Sequence, residues 1–197
     1  MGKSRLLPLL GGFRRQQIAI DDSQATATYA NLCGVTQTPR EVVLDFAMDT
    51  VPTDNGQVRP SVSRRIVANV YTAKRMLHAL RLTVQRHEAT FGVLPGQDLG
   101  NRIDLDDAGS VPSYANFCRV TGTPEEVIVD FGLNAEPYDV PTQGIRVSWR
   151  VVTDFHTAKM LARDLESAIG RHEARHGAIE TDVQKRVRPQ AFGPPQH

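Results

Sequence analysis

The chain has 197 residues, with 23 lysines and arginines against 22 aspartates and glutamates, so its formal net charge of +1 supplies no single-signed field to gather nucleic acid or anionic lipid. Hydrophobic residues make up 40% of it, enough for a buried core, yet no run nears the roughly 18 unbroken apolar positions that crossing a bilayer takes. Cys33 and Cys118 are too few for a disulfide framework and read as reduced, buried thiols, as in a cytoplasmic protein.

Residues 1–17 form an N-terminal extension with a basic start. Its apolar run Leu6–Leu10 is interrupted by Pro8 and followed by Gly11, Gly12 and two arginines, which is not the pattern of a secretory signal. From Ile18 onward the chain repeats itself at an offset of 85. Tyr29-Ala30-Asn31 returns as Tyr114-Ala115-Asn116, Asp45-Phe46 as Asp130-Phe131, Thr72-Ala73-Lys74 as Thr157-Ala158-Lys159, and Arg86-His87-Glu88-Ala89 as Arg171-His172-Glu173-Ala174. Between Ile18 and Gly92, 30 of 75 positions are identical to their counterparts, which marks an internal duplication. The expected organisation is a first unit at 18–92, a turn-rich linker at 93–102, a second unit at 103–177 and a flexible tail at 178–197.

Each unit reads alike in chain order. Gln17–Ile20 and Arg102–Leu105 are short lead-in strands. Tyr29–Thr36 and Tyr114–Thr121 alternate at a period of two and end at Thr-Pro, so each is a strand that forms a hairpin with Glu41–Met48 or Glu126–Leu133. Pro52–Pro60 and Pro137–Gly144 are exposed loops, and Val62–Val70 and Val147–Phe155 are third strands. From Thr72 to Phe91 the period changes: Ala73, Met76, Leu77, Leu80 and Val84 share one face of a long amphipathic helix, and Ala158, Leu161, Leu165 and Ile169 repeat it. Asn69 and Asp154 stand as N-caps, Gly92 and Gly177 as C-terminal stops. The fold class is therefore α+β: two homologous units, each an antiparallel meander of three to four strands followed by a long helix, packed as a pseudo-twofold pair because one unit of about 75 residues is near the lower limit for stability alone.

Among residues able to carry chemistry, His172-Glu173-Ala174-Arg175-His176 satisfies H-E-x-x-H, the pattern of zinc hydrolases. It falls in the last helical turn, however, and the first unit has His87-Glu88-Ala89-Thr90-Phe91 in its place, so it reads as a decoy on a solvated helix end and no metal or cofactor is expected. Asp45 and Asp130 lie in strands and are expected on the solvent or hydrogen-bonded face. Asn31 and Asn116, with Thr38-Pro39 and Thr123-Pro124, are expected to fix the hairpins through side-chain bonds to backbone. Lys74 and Lys159, near the helix starts, with Arg65 and Arg150 in the third strands, are expected in solvent. Tyr29, Asn31, Tyr114, Asn116, Lys74 and Lys159 are the candidate structural or interaction residues. Lys185, Arg186 and Arg188 form a short basic cluster in the tail.

The text Tyr114–Asn134, then a strand and a helix opening with Thr157-Ala158-Lys159, resembles the uncharacterised bacterial domain family numbered 3467 among domains of unknown function. Both units carry the resemblance. Members of that family look like single small domains, so the tandem is a departure, as is Ala47 where the second unit has Gly132. The strand-then-helix order is also similar to the export chaperone SecB, in topology alone. The function expected is a non-enzymatic protein-interaction or assembly module whose partner is another protein or a second copy. A SecB-like holdase is the first alternative. A nucleic-acid binder acting through the basic tail is the second, disfavoured by the overall charge, and no membrane partner is expected.

Overall fold

A computed structural model describes residues 19–48, 59–95, 104–135 and 144–186. The expectations placed on residues 1–18, on 96–103, on most of the two exposed loops and on the tail beyond 186, Arg188 included, lie outside the described residues. The first unit runs β1 (Ile20–Asp21), β2 (Thr26–Tyr29), β3 (Leu32–Gln37), β4 (Glu41–Ala47), β5 (Val62–Asn69) and α1 (Val70–Phe91). The second runs β6 (Pro112–Ala115), β7 (Phe117–Gly122), β8 (Val127–Leu133), β9 (Ile145–Thr153) and α2 (Phe155–His176), and is followed by a short helix α3 (Val183–Arg186).

The duplication and the α+β architecture are as the sequence indicates, and the strand pairing adds an exchange between the units. Hairpins β3·β4 and β7·β8 form as expected, with β5 and β9 completing each antiparallel meander. The single strand expected over Tyr29–Thr36 is instead two, divided at Ala30–Asn31. Its first half, β2, pairs in parallel with β9 of the second unit, while β3 stays in the first unit's sheet. The reciprocal break lies after Ala115: β6 pairs in parallel with β5 of the first unit. Successive amides at the bend serve the two sheets, since Ala30 N–H donates to Val152 O at 2.9 Å and Asn31 N–H to Ala47 O at 3.2 Å. Alternating direction of neighbouring backbone groups is what lets one extended segment bridge two sheets.

The helices cross over as well. Each is 22 residues, about 33 Å at 1.5 Å rise. α1 lies beside β7 of the second unit: Thr72 Oγ1 donates to Asn116 O at 3.1 Å near its start, and His87 Nε2–H to Pro124 O at 3.1 Å near its end. α2 packs on β3 in the same way, with Thr157 Oγ1 donating to Asn31 O at 3.0 Å. A strand that ends a sheet would otherwise offer its backbone to other chains; β3 and β7 each end a sheet, and each has a helix beside it. The predicted caps form, with Asn69 Oδ1 accepting from Thr72 N–H and Asp154 Oδ1 from Thr157 N–H.

One core serves both units. It joins Val42, Leu44 and Phe46 of β4, Val127, Val129 and Phe131 of β8, and the apolar stripes of both helices. Two contacts pair residues at the 85-residue offset, as a pseudo-twofold requires. The rings of Phe46 and Phe131 are 5.9 Å apart, and the Arg64 guanidinium lies 3.8 Å from the centre of the Trp149 ring. At the second pair the copies have diverged into complementary partners, a cation and an indole. A double-mutant cycle of Arg64→Ala with Trp149→Ala, read by denaturant melts, is expected to return a favourable coupling of about 0.5–2 kcal/mol. Additive losses would mean the stack contributes nothing.

Ala47 and its counterpart Gly132 follow the same register shift, after Phe46 and after Phe131; at Gly132 a Cβ would run into the Arg146 carbonyl oxygen, whereas the first unit accommodates alanine at the equivalent place.

Candidate functional site

The polar groups repeated between the units converge on the seam where the units meet. On β8, Asp130 is buried, 1% exposed, and accepts from Arg150 Nε–H at 2.7 Å and Arg119 Nε–H at 2.9 Å. Both guanidinium groups also reach Asp22, which the first unit's lead-in carries across, at 2.8 and 3.0 Å. Those bonds hold the Asp22 carboxyl below its ordinary range, Arg150 contributing most. The first unit's counterpart is sparser. Arg65 bonds Asp45 through Nε–H at 2.6 Å and the second unit's Asp107 through Nη2–H at 2.6 Å, and Gly34 stands where the second unit has Arg119. Leu105 covers that glycine, its Cδ1 3.2 Å from where a Cβ would be. Asp45 and Asp130 thus take the hydrogen-bonded alternative of the expectation: each is buried and bonded by guanidinium groups, supplied from strands that the local pattern does not specify.

Lys74 and Lys159 also differ from the expectation of solvent exposure. Lys74 Nζ donates to Glu173 Oε1 at 2.7 Å and to Ile179 O at 2.8 Å; Lys159 Nζ donates to Glu88 Oε1 at 2.6 Å and to Leu94 O at 3.3 Å. Each lysine sits near the start of one helix and each glutamate near the end of the other, so the helices run antiparallel and are tied at both ends. The lysine bond, followed by an amide bond from Ile179 or Leu94, draws Glu173 and Glu88 below the usual carboxylate range. A carboxylate lowered on folding stabilises the native state above its unfolded pKa, near 4.3, and loses that contribution as pH falls through the folded value. Thermal melts are therefore expected to drop progressively from about pH 5 downward. Glu88→Gln should shallow the acid limb of that profile, and an unchanged limb would refute its role.

The same ties engage the H-E-x-x-H text: Glu173 accepts from Lys74 Nζ and from the Ile179 amide at 2.8 Å. His172 is 8% exposed and its ring lies 4.7 Å from that of His176. Its counterpart His87 stacks on Phe155 with ring centres 3.6 Å apart. Among the described residues no three histidine, cysteine, aspartate or glutamate side chains come together as metal ligands would.

Asn116 behaves as a clasp at the strand bend: its Nδ2 donates to Asn134 O at 2.8 Å and its Oδ1 accepts from Asn134 N–H at 2.6 Å. Asn31 offers its carbonyl to Thr157. Thr38 and Thr123 hydroxyls accept from the Glu41 and Glu126 amides at 2.9 Å, closing the hairpin turns. Tyr114, 53% exposed, accepts from Asn69 Nδ2 at 3.2 Å, and Tyr29 is 46% exposed on the opposite sheet. Cys33 Sγ lies 3.9 Å from Thr157 O and Cys118 Sγ 4.0 Å from Thr72 O; burial pushes both thiols up to about 12, outside the range of a nucleophile at neutral pH. A groove of about 500 Å3 runs between the end of α1 and the start of α2, floored by Val84, Met160 and Ala162. Its Arg81 is paired with Glu166 at 2.9 Å and its Lys159 with Glu88.

The profile of one family, described as a protein of unknown function, DUF3467, matches residues 10–96 and again residues 95–181. The chain belongs to the DUF3467 family. Its two matches are the two units, so this member of the family is a tandem. No curated protein matches, and no solved structure matches. Among the described residues no helix is long and apolar enough to cross a membrane.

Proposed function

We propose that this tandem DUF3467 protein is a non-enzymatic interaction or assembly module. One observation carries the reading. Of the polar residues identical in both copies, Thr72/Thr157, Lys74/Lys159 and Glu88/Glu173 bond across the units, and Arg65 and Arg150 link Asp45 and Asp130 of their own unit to Asp107 and Asp22 of the other. Catalysis needs convergent groups held ready for a substrate, whereas these groups are consumed in joining two copies. The test is affinity capture from the protein's own cells with mass spectrometry, run beside sedimentation of the pure protein. A reproducible partner or a higher assembly is the expected result; an inert monomer with no partner would sink the reading.

A second reading, a SecB-like holdase, draws on the sheet faces. Register and alternation place half-buried Val43 and Val67 beside exposed Tyr114, and half-buried Ile128 and Val152 beside exposed Tyr29. Apolar surface of that kind can hold unfolded chains. Suppression of aggregation of a denatured client by the pure protein, weakened by Tyr29→Ser with Tyr114→Ser, is its expected signature.

A further inference from the structure

The pseudo-twofold provides an internal reference for the surface, because a position that differs from its counterpart departs from what the shared fold needs. One place where the two copies differ in chemistry is the start of α1. There Arg186 of α3 lays its guanidinium over the Tyr71 ring, 4.2 Å from its centre. Arg75, one turn along α1 from Tyr71, is exposed and donates from Nη2–H to the Thr72 hydroxyl at 3.1 Å. Lys185 is exposed next to Arg186. At the corresponding start of α2 the counterparts of Tyr71 and Arg75 are His156 and Met160.

Among the described residues neither Arg75 nor Arg186 has a carboxylate partner within ion-pair distance, although Arg65, Arg81, Arg119 and Arg150 all do. Arg75 feels the charge of Arg186: its pKa is lowered first by burial, an effect that Cys118 opposes and to which Arg186 adds. Like charges brought together at the cost of repulsion are stabilised when an anion lies between them.

We propose that Tyr71, Arg75, Lys185 and Arg186 form a docking site for an acidic segment of a partner protein, its carboxylates bridging the two guanidinium groups. The proposal rests on the reading of the protein as an interaction module and names the chemistry of its partner. An acidic polypeptide fits better than a nucleic acid. The cations cover only about one turn of α1 and the adjoining α3, a footprint that suits a few carboxylates of a short segment and not the long run of phosphates along a nucleic acid.

The test uses the full chain and two fluorescein-labelled probes in 150 mM salt: a 15-residue peptide of alternating glutamate and serine with one central tyrosine, and a 15-nucleotide single strand of thymidines. The peptide is expected to bind. Arg75→Glu with Arg186→Glu should weaken it at least tenfold, Met160→Glu at the counterpart position should leave it unchanged, and Arg186→Lys should weaken it because an ammonium does not lie flat on a ring or bridge a carboxylate in two places. Absence of peptide binding, equal loss in Met160→Glu, or tighter binding of the oligonucleotide each overturns the proposal. Affinity capture with the Arg75→Glu, Arg186→Glu protein as bait separates the two layers of inference. Retention of the wild-type partners refutes the acidic-segment site and leaves the interaction module standing; no partner for either bait, with a monomer in sedimentation, refutes the module.

Discussion

Asp130→Ala is expected to cost about 2–3 kcal/mol of stability, and Asp45→Ala less. Removing one member of a buried ion pair costs about 3–5 kcal/mol because the other is left uncompensated. Here the stranded groups would be Arg119 and Arg150, whose side chains are 35% and 29% exposed and can partly rehydrate, which puts the loss at or below the low end. In the first unit only Arg65 loses a partner, and it keeps Asp107. For a chain of this size the Asp130 loss is a fall of about 5–10 °C in melting temperature. Calorimetry of the two variants decides the matter: an Asp45→Ala protein as destabilised as Asp130→Ala would show that the additional arginine has no part in the network. Asp22→Asn, which removes the acceptor shared across the units, is expected to lie between wild type and Asp130→Ala.

The larger expected effect comes from separating the units. Residues 1–92 alone should fail to fold as a monomer, because β2 would lack β9, β5 would lose β6, and α1 would have neither β7 nor α2 to cover. Burial of an amphipathic helix supplies most of its stability, and an isolated unit of this size has little to spare. Circular dichroism is expected to show little helix in either half alone. Mixing the halves should restore it, with a one-to-one complex in sedimentation, since the exchanged strands and the Lys74–Glu173 and Lys159–Glu88 ties need no covalent link. A monomeric, cooperatively melting first half would contradict the exchanged arrangement. Pairing of the first half with itself would set Arg64 against Arg64 in place of Trp149, so the mixed pair is expected to prevail.

Much of the fold was legible because its signals are local. The 85-residue offset is a property of the text, the change from alternation to a 3.6-residue stripe marks the passage from strand to helix, and Asn69, Asp154, Gly92 and Gly177 carry their capping chemistry with them. The candidate site was less legible. Lys74 and Lys159 sit on helices whose local pattern fits a solvated lysine as well as a bonded one, and their glutamate partners lie 99 and 71 residues away. The one available clue was the repetition itself: lysine and glutamate recur at the offset in both copies, a coincidence that a purely solvated face does not need. For Asp45 and Asp130 the local pattern is only half informative. Alternation assigns them to the face away from the helices, which is correct, but it is silent on Asp107 and Asp22 crossing over that face with the arginines they share.

What the residues alone determine is therefore the unit: its length, its order of strands and helix, its capping, and that there are two of them. What only the tertiary structure decided is which unit each piece serves. Because the copies are alike, β2 presents the same alternating pattern whether it lies on β5 of its own unit or on β9 of the other, and each helix stripe suits either sheet. The choice is settled by the bends at Ala30–Asn31 and Ala115–Asn116, where consecutive amides point to opposite sides and bind different sheets. That long-range arrangement turns two repeats into one body, joined by the lysine–glutamate ties and by arginines that reach the other unit's aspartates.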